Sequence, residues 1–188
     1  MPQNTSRGYT YPLYTDPADP AAQIQELATD IDADMDALWD RLLAGYNQPA
    51  CRVRAASINQ SIAAFTDTTA TFAEELYDNA GMVDLGVSNT TINLVQTGLY
   101  LACGRSTFLS NGNATIRGRQ ISIVTTGSLG IVGRRCVEGS QTLSTGVSCT
   151  ALFWAAAGST LTLVQRHNSG ASLNSSTRTL MVAKMGVL

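Results

Sequence analysis

Apolar residues recur along residues 19–45 at alternating steps of four and three positions. The members of this apolar stripe are Ile24, Ala28, Ile31, Met35, Leu38 and Leu42. This spacing places them on one side of an α-helix, with acidic residues around the other sides. Asp19 is positioned as the N-cap, Pro20 suits the first helical position, and Gly45 is predicted to end the helix in a left-handed conformation.

A stripe this narrow has two possible partners: copies of itself in a short coiled coil, or the remainder of its own subunit. We favour self-association, because acids flank the stripe and a core-facing helix would show a wider apolar face. The stripe spans only about three heptads and carries many like charges, so it would be a weak coiled coil alone. A trimerising helix therefore needs another source of association energy.

The pattern changes to short β-favouring runs over residues 46–188. Thr160, Thr162 and Gln165 interleave with Leu161, Leu163 and Val164, which is typical of a strand with one buried face. The predicted strands are 51–57, 69–72, 82–87, 91–95, 98–105, 115–125, 130–137, 146–154, 160–166 and 178–187. Their regular spacing, and the lack of a second convincing helix pattern, predict an antiparallel jelly-roll sandwich preceded by one helix.

Residues 1–18 show neither helical nor strand periodicity. They contain Tyr9, Tyr11, Pro12 and Tyr14 among small polar residues. Proline fixes φ and disfavours helix before it, so we expect an extended segment. It is either a disordered leader or, as we favour, a docking arm that lies along its own trimer or in a neighbour's groove, where its tyrosines are buried.

The net charge of −2 conceals two unlike halves. Up to Gln48, two arginines face eight acids, giving 2 − 8 = −6; from Pro49 onward, ten bases face six acids, giving 10 − 6 = +4. Arginine outnumbers lysine eleven to one, and aromatic residues do not interleave with the bases. We therefore expect no nucleic-acid partner. The apolar run 151–157 is far shorter than the ~20 residues of a membrane helix, so no membrane insertion is expected.

Residues that could carry catalysis are sparse, and we expect no enzyme, metal or cofactor. The single histidine, His167, is predicted to lie in a solvated loop. The clustered carboxylates belong to the helix, where a charged surface explains them better than an acid/base pair. A glycan hydrolase would need paired carboxylates that the second half does not show. The four cysteines lack metal-type spacing, and buried free thiols are favoured over disulfides.

Two strand motifs resemble the jelly rolls of complement globular heads and tumour-necrosis-factor-like proteins. The run 96–103, Gln-Thr-Gly-Leu-Tyr-Leu-Ala-Cys, resembles their Gly-x-Tyr-x-Phe strand. The run 156–165, Ala-Ala-Gly-Ser-Thr-Leu-Thr-Leu-Val-Gln, resembles their apolar-Ala-Gly-Asp-x-Val strand, with Ser159 at the position of the aspartate. The resemblance implies a homotrimer whose inner sheets meet around a threefold axis, with Tyr100 and Phe153 at the trimer interface.

The N-terminal segment resembles the opening of small minor-tail and fibre proteins of phages that infect actinobacteria. The similar runs are 7–12, 16–20 and 27–34. The resemblance implies a virion protein, made in a bacterial cytoplasm, that docks on other virion proteins through its arm and exposes a variable head. The head would contact a host-surface glycan through loops holding Asn111, Asn113, His167 and Asn168. The alternative is a capsid decoration or head-fibre protein that stabilises the shell and binds no receptor.

Overall fold

The computed structural model describes residues 3–4, 10–11, 20–110, 118–126, 130–140 and 142–185; within the N-terminal 46 residues, side chains are described only for 24–38. The chain divides into two compact units, Met1–Asn47 and Gln48–Leu188. The first unit contains helix α1 (Pro20–Tyr46) and two short strands, β1 (Gln3–Asn4) and β2 (Thr10–Tyr11). β1 and β2 pair antiparallel, a feature the sequence did not predict.

Helix α1 forms where the stripe predicted it, but it continues through Gly45 and ends at Tyr46. Gly45 is therefore not the left-handed terminator, and its interior position costs the helix only about 1 kcal/mol relative to alanine. The stripe side chains from Ile24 to Leu38 are exposed in the single chain. The structure does not describe Tyr9, Pro12, Tyr14 or Asp19. It describes the backbone of Tyr11 and Leu42 but not their side chains.

The second unit is built of antiparallel strands in two sheets. The strands are β3 (Ala50–Ala55), β4 (Gln60–Ile62), β5 (Thr68–Thr69), β6 (Glu74–Asp78), β7 (Ile92–Leu94), β8 (Gly98–Phe108), β9 (Gly118–Thr125), β10 (Gly130–Glu138), β11 (Thr145–Ala155), β12 (Ser159–His167) and β13 (Leu173–Lys184). The five-stranded sheet has the order β10-β9-β12-β5, with β7 beside β12. The six-stranded sheet has the order β11-β8-β13-β3-β6, with β4 beside β13. The predicted fold class, a mainly β sandwich with one helix, is confirmed.

Alternation along the long strands builds the core between the sheets. In β8 and β11 every second residue is buried, and Ile121, Ile123, Leu161 and Leu163 face them from the other sheet. Each large apolar side chain fully removed from water stabilises the fold by about 1.5–3 kcal/mol. Gly104 lies at a tight point of this packing, because an added Cβ would meet Leu163 Cδ1 at 2.6 Å.

The predicted strand at 82–87 is wrong. Residues 85–87 form a turn whose amides, at Gly86 and Val87, donate to the Asp84 carboxylate. This local side-chain bonding competes with a strand ladder. Met82 is nevertheless fully buried, so the apolar residue indicated a core position and not a strand. Strand β6, which was not predicted, is a short edge strand with three exposed positions.

The two ends of the sandwich carry different chain segments. At the base end, β3 begins at Ala50 opposite Ala183, near the finish of β13. At the opposite loop end lie the connections β3–β4 (56–59), β4–β5 (63–67) and β12–β13 (168–172). Strand β8 also finishes there, and β9 begins there. The loop end is therefore remote, along the strands, from the point where the chain enters the second unit.

Candidate functional site: two surfaces of the sandwich

The outward face of the six-stranded sheet exposes apolar side chains near the base end. Strand register places Leu152 opposite Leu101, and Trp154 one row closer to the base end. Leu101, Leu152, Trp154 and Met181 are 41%, 61%, 58% and 40% exposed, and we call them the apolar patch. Contiguous exposed apolar side chains on a sheet face are typical of a surface that another protein covers.

The same face becomes basic toward the loop end. Arg105, Thr179 and Arg54 follow one another across β8, β13 and β3, and Arg52 lies one row closer to the base end. These residues line an open cavity of about 310 Å³, together with Ala56, Cys103, Thr177 and Met181. Arg54 forms an ion pair with Glu74, with Nη2 2.7 Å from Oε2.

The structure contradicts the placement of Tyr100 and Phe153 at a subunit interface. Both side chains point between the sheets, at 0% and 6% exposure, and their rings stack at a centroid distance of 6.2 Å. The Tyr100 hydroxyl donates to the carbonyl oxygen of Gln96 at 2.6 Å. Their strand neighbours Leu101 and Leu152 face outward instead. Both faces of this strand pair carry large apolar residues, so alternation alone did not indicate which face is internal.

The loop end carries two exposed apolar side chains on constrained backbone. Ile58 is 46% exposed in the β3–β4 connection, and Phe65 is 54% exposed in the β4–β5 connection. Phe65 has a φ of +62°, and Ser57, beside Ile58, has a φ of +58°. A non-glycine residue in this region costs about 1–3 kcal/mol, so surrounding contacts must hold both loops. Sequence reasoning missed both loops, because no local pattern marks a left-handed phenylalanine.

Arg178 supplies part of that support from inside the sandwich. Its side chain is fully buried, and Nη1 donates to the carbonyl oxygens of Ile58 and Ser175, both at 2.8 Å. Nε donates to the carbonyl oxygen of Thr71 at 3.0 Å. Burial lowers the pKa of the guanidinium from its ordinary value. One buried arginine thus ties the β3–β4 and β5–β6 connections to strand β13.

His167 is buried, which corrects its prediction as a solvated loop residue. It is the last residue of β12, at 1% exposure. Nε2 lies 2.8 Å from the carbonyl oxygen of Ile62, which can only accept, so Nε2 is the donor. Nδ1 then accepts from the Ser169 hydroxyl at 2.8 Å. Burial first, and then the nearby charge of Arg119, lower the pKa of the imidazole.

The backbone of His167 also fixes Phe65, whose amide donates to the His167 carbonyl oxygen at 2.7 Å. His167 therefore supports the loop end without lying on its surface, whereas Asn168 is exposed there. Asn111 and Asn113 lie outside the described residues. The loop end combines the exposed aromatic ring of Phe65, the exposed amide side chain of Asn168 and an Arg166–Asp67 ion pair at 3.3 Å. This combination suits binding of a polar ligand with apolar faces.

Side chains that could together bind a metal ion are not clustered in the described part of the chain. No three His, Cys, Asp or Glu side chains of that part come together as a metal site. The four cysteines are free thiols, and burial raises the pKa of Cys51 to about 12. No helix that the structure describes combines the length and apolar character needed to cross a membrane.

Comparison with known proteins identifies the fold of the sandwich. No protein-family model and no curated protein matches the sequence. The globular domain of zebrafish complement 1qA protein superposes with a TM-score of 0.55 at 14% identity, covering 74% of this chain and 98% of that chain. Murine APRIL gives 0.54 at 14% identity, covering 73% and 99%. The jelly roll predicted from the strand motifs is thereby confirmed.

Proposed function

We propose that the protein is a homotrimeric phage virion component that attaches to the host surface. The N-terminal unit docks on other virion proteins, and the sandwich presents its loop end to a host glycan. The apolar patch is the single observation that carries the proposal, because it leaves large apolar side chains uncovered on the outward face of the six-stranded sheet, where another subunit can bury them. The resemblance of the arm to actinobacteriophage tail proteins supports the virion location.

The apolar patch supplies the association energy that the short helix lacks. An aromatic side chain buries roughly 150–250 Å² at about 25 cal/mol per Å². With Trp154 58% exposed and Leu152 61% exposed, covering both contributes about 3–5 kcal/mol per subunit before the cost of association. The helix stripe, also exposed in the single chain, adds a second self-complementary surface. Both surfaces favour association of identical chains.

The loop end is the surface we assign to attachment. It lies at the far end of the sandwich from Ala50, where the chain enters from the docking unit. Phe65 offers a flat apolar ring, as sugar rings require for stacking, and Asn168 is an exposed amide that both donates and accepts hydrogen bonds. The hydrogen bond from the Phe65 amide to the His167 carbonyl oxygen fixes the left-handed backbone of Phe65, and the ring is thereby held at the surface. A prearranged aromatic group binds at lower entropic cost.

The trimer is tested by light scattering coupled to size exclusion on the full-length protein at micromolar concentration. We expect a trimer for the wild type and dissociation for the double substitution Leu152→Ser, Trp154→Ser. Ile131→Ser is the matched control, since Ile131 is 47% exposed on β10 of the other sheet and should leave the trimer intact. A monomeric wild type, or a trimeric double variant, contradicts the proposal.

Attachment is tested by binding of the fluorescently labelled full-length protein to actinobacterial cells. Wild type and Ile131→Ser are expected to bind alike, and Phe65→Ser at least tenfold more weakly. Wild-type protein that ignores cells and raises the heat stability of capsids would favour the decoration alternative. If Phe65→Ser binds cells as well as the wild type, the loop end is not the attachment surface.

A further inference from the structure

The basic cavity on the six-stranded sheet contains guanidinium groups without acceptors among the residues that the structure describes. Arg54 pairs with Glu74, but Arg52 and Arg105 form neither an ion pair nor a hydrogen bond with any residue the structure describes. The cavity lining therefore contributes three positive charges, of which that of Arg54 is paired with the Glu74 carboxylate. Both unpaired arginines are exposed, so their head groups are free to bind an anion from solution.

The register concentrates hydrogen-bond donors around a single point. Arg105 and Arg54 flank Thr179 in one row, two strand spacings of about 4.8 Å apart, which long side chains can close. The hydroxyl groups of Thr177 and Thr179 line the same cavity, and neither has a hydrogen-bond partner in the described part of the chain. Guanidinium and hydroxyl donors on a concave surface match a tetrahedral oxyanion, since arginine binds phosphate-type groups through paired hydrogen bonds.

The same cavity bears on subunit association. Arg52 and Met181 lie in one row, so the basic cavity adjoins the apolar patch on one sheet face. If three such faces approach one another, their unpaired charges repel, and repulsion strengthens as water is excluded. A bound oxyanion would replace this repulsion by charge-assisted hydrogen bonds.

We propose that the cavity lined by Arg52, Arg54 and Arg105 binds a tetrahedral oxyanion, such as phosphate or sulfate, and that the bound anion strengthens subunit association. Anion binding rests on the cavity of one subunit alone. The effect on association rests on the proposed trimer. The two parts therefore need separate measurements.

Anion binding is measured by calorimetric titration of the full-length protein with sodium sulfate and with sodium phosphate, against sodium chloride of equal ionic strength. We expect saturable binding of both oxyanions and none of chloride. Arg105→Gln and Arg52→Gln should each weaken binding at least tenfold. Arg135→Gln is the matched control, because Arg135 is an exposed arginine on β10 of the other sheet. Absence of saturable binding, or unchanged binding by both cavity variants, overturns the site.

Association is measured by light scattering on serially diluted protein in the same salts. Sulfate is expected to lower the concentration at which wild-type trimers dissociate, and to have no such effect on Arg105→Gln. Equal dissociation in sulfate and chloride overturns the coupling, while the titration decides the site independently. A monomer in every salt contradicts the proposed trimer and with it the coupling.

Discussion

Replacing Arg178 with methionine is expected to destabilise the sandwich and to loosen its loop end. The guanidinium donates to the carbonyl oxygens of Thr71, Ile58 and Ser175 at 3.0, 2.8 and 2.8 Å. Methionine fills a similar length of the fully buried site but donates no hydrogen bond. The substitution therefore isolates the loss of these bonds from the loss of packing.

The size of the effect follows from the three carbonyl groups that lose a donor. Each buried group left without a partner costs about 1–3 kcal/mol, so the loss is roughly 3–6 kcal/mol with partial access of water to the loops. Removing the charge offsets part of this lost free energy of unfolding, because burial already disfavours the charged guanidinium. We expect a net loss of about 2–4 kcal/mol, which is large beside the ~5–15 kcal/mol stability typical of proteins.

Equilibrium unfolding in urea at fixed protein concentration measures this loss. With a slope of about 1–3 kcal/mol per molar, the midpoint should fall by roughly 1–2 M. Amide hydrogen exchange should also accelerate around Ile58. The matched control is Arg166→Met: Arg166 makes a solvent-exposed ion pair with Asp67, so its loss should stay within about 0.5 kcal/mol. Equal midpoints for the two variants would refute the supporting role of Arg178.

Two further predictions follow from lowered and raised pKa values. Burial lowers the pKa of His167 below its ordinary 6.5, so the unfolded chain binds the proton more tightly than the folded one. The contribution of His167 to the free energy of unfolding is therefore fully present above pH 6.5 and is lost as the pH falls below it. Urea midpoints from pH 7.5 to 5 should show this decline in the wild type and less of it in His167→Gln; identical profiles would contradict it. Burial raises the pKa of the Cys51 thiol to about 12, so iodoacetamide at pH 8 should label exposed Cys136 and spare Cys51, as mass spectrometry would show. Native labelling of Cys51 at a comparable rate would contradict its burial.

Local patterns along the chain were sufficient for the secondary structure that repeats. The four-three spacing of the stripe predicted α1. Short β-favouring runs predicted the long strands β8, β11 and β12, and β12 also shows interleaved polar and apolar residues. These elements are 9 to 27 residues long, so the pattern that indicates their type lies within a short segment and is visible without knowledge of their neighbours. The regular spacing of these runs, with the two strand motifs, predicted an antiparallel jelly roll.

The contacts that shape both surfaces join residues far apart in the chain, and no local pattern records them. His167 bonds to Ile62 across 105 positions, and Arg178 bonds to Ile58 across 120. A histidine followed by Asn, Ser and Gly has the composition of a solvated loop, yet in the fold His167 is buried and bonds to the carbonyl oxygen of Ile62. Tyr100 and Leu101 are both large and apolar, and only the position of the second sheet decides which one is buried. Sequence determined which segments alternate; tertiary packing decided which side of each strand faces water, because that choice depends on the element packed against it.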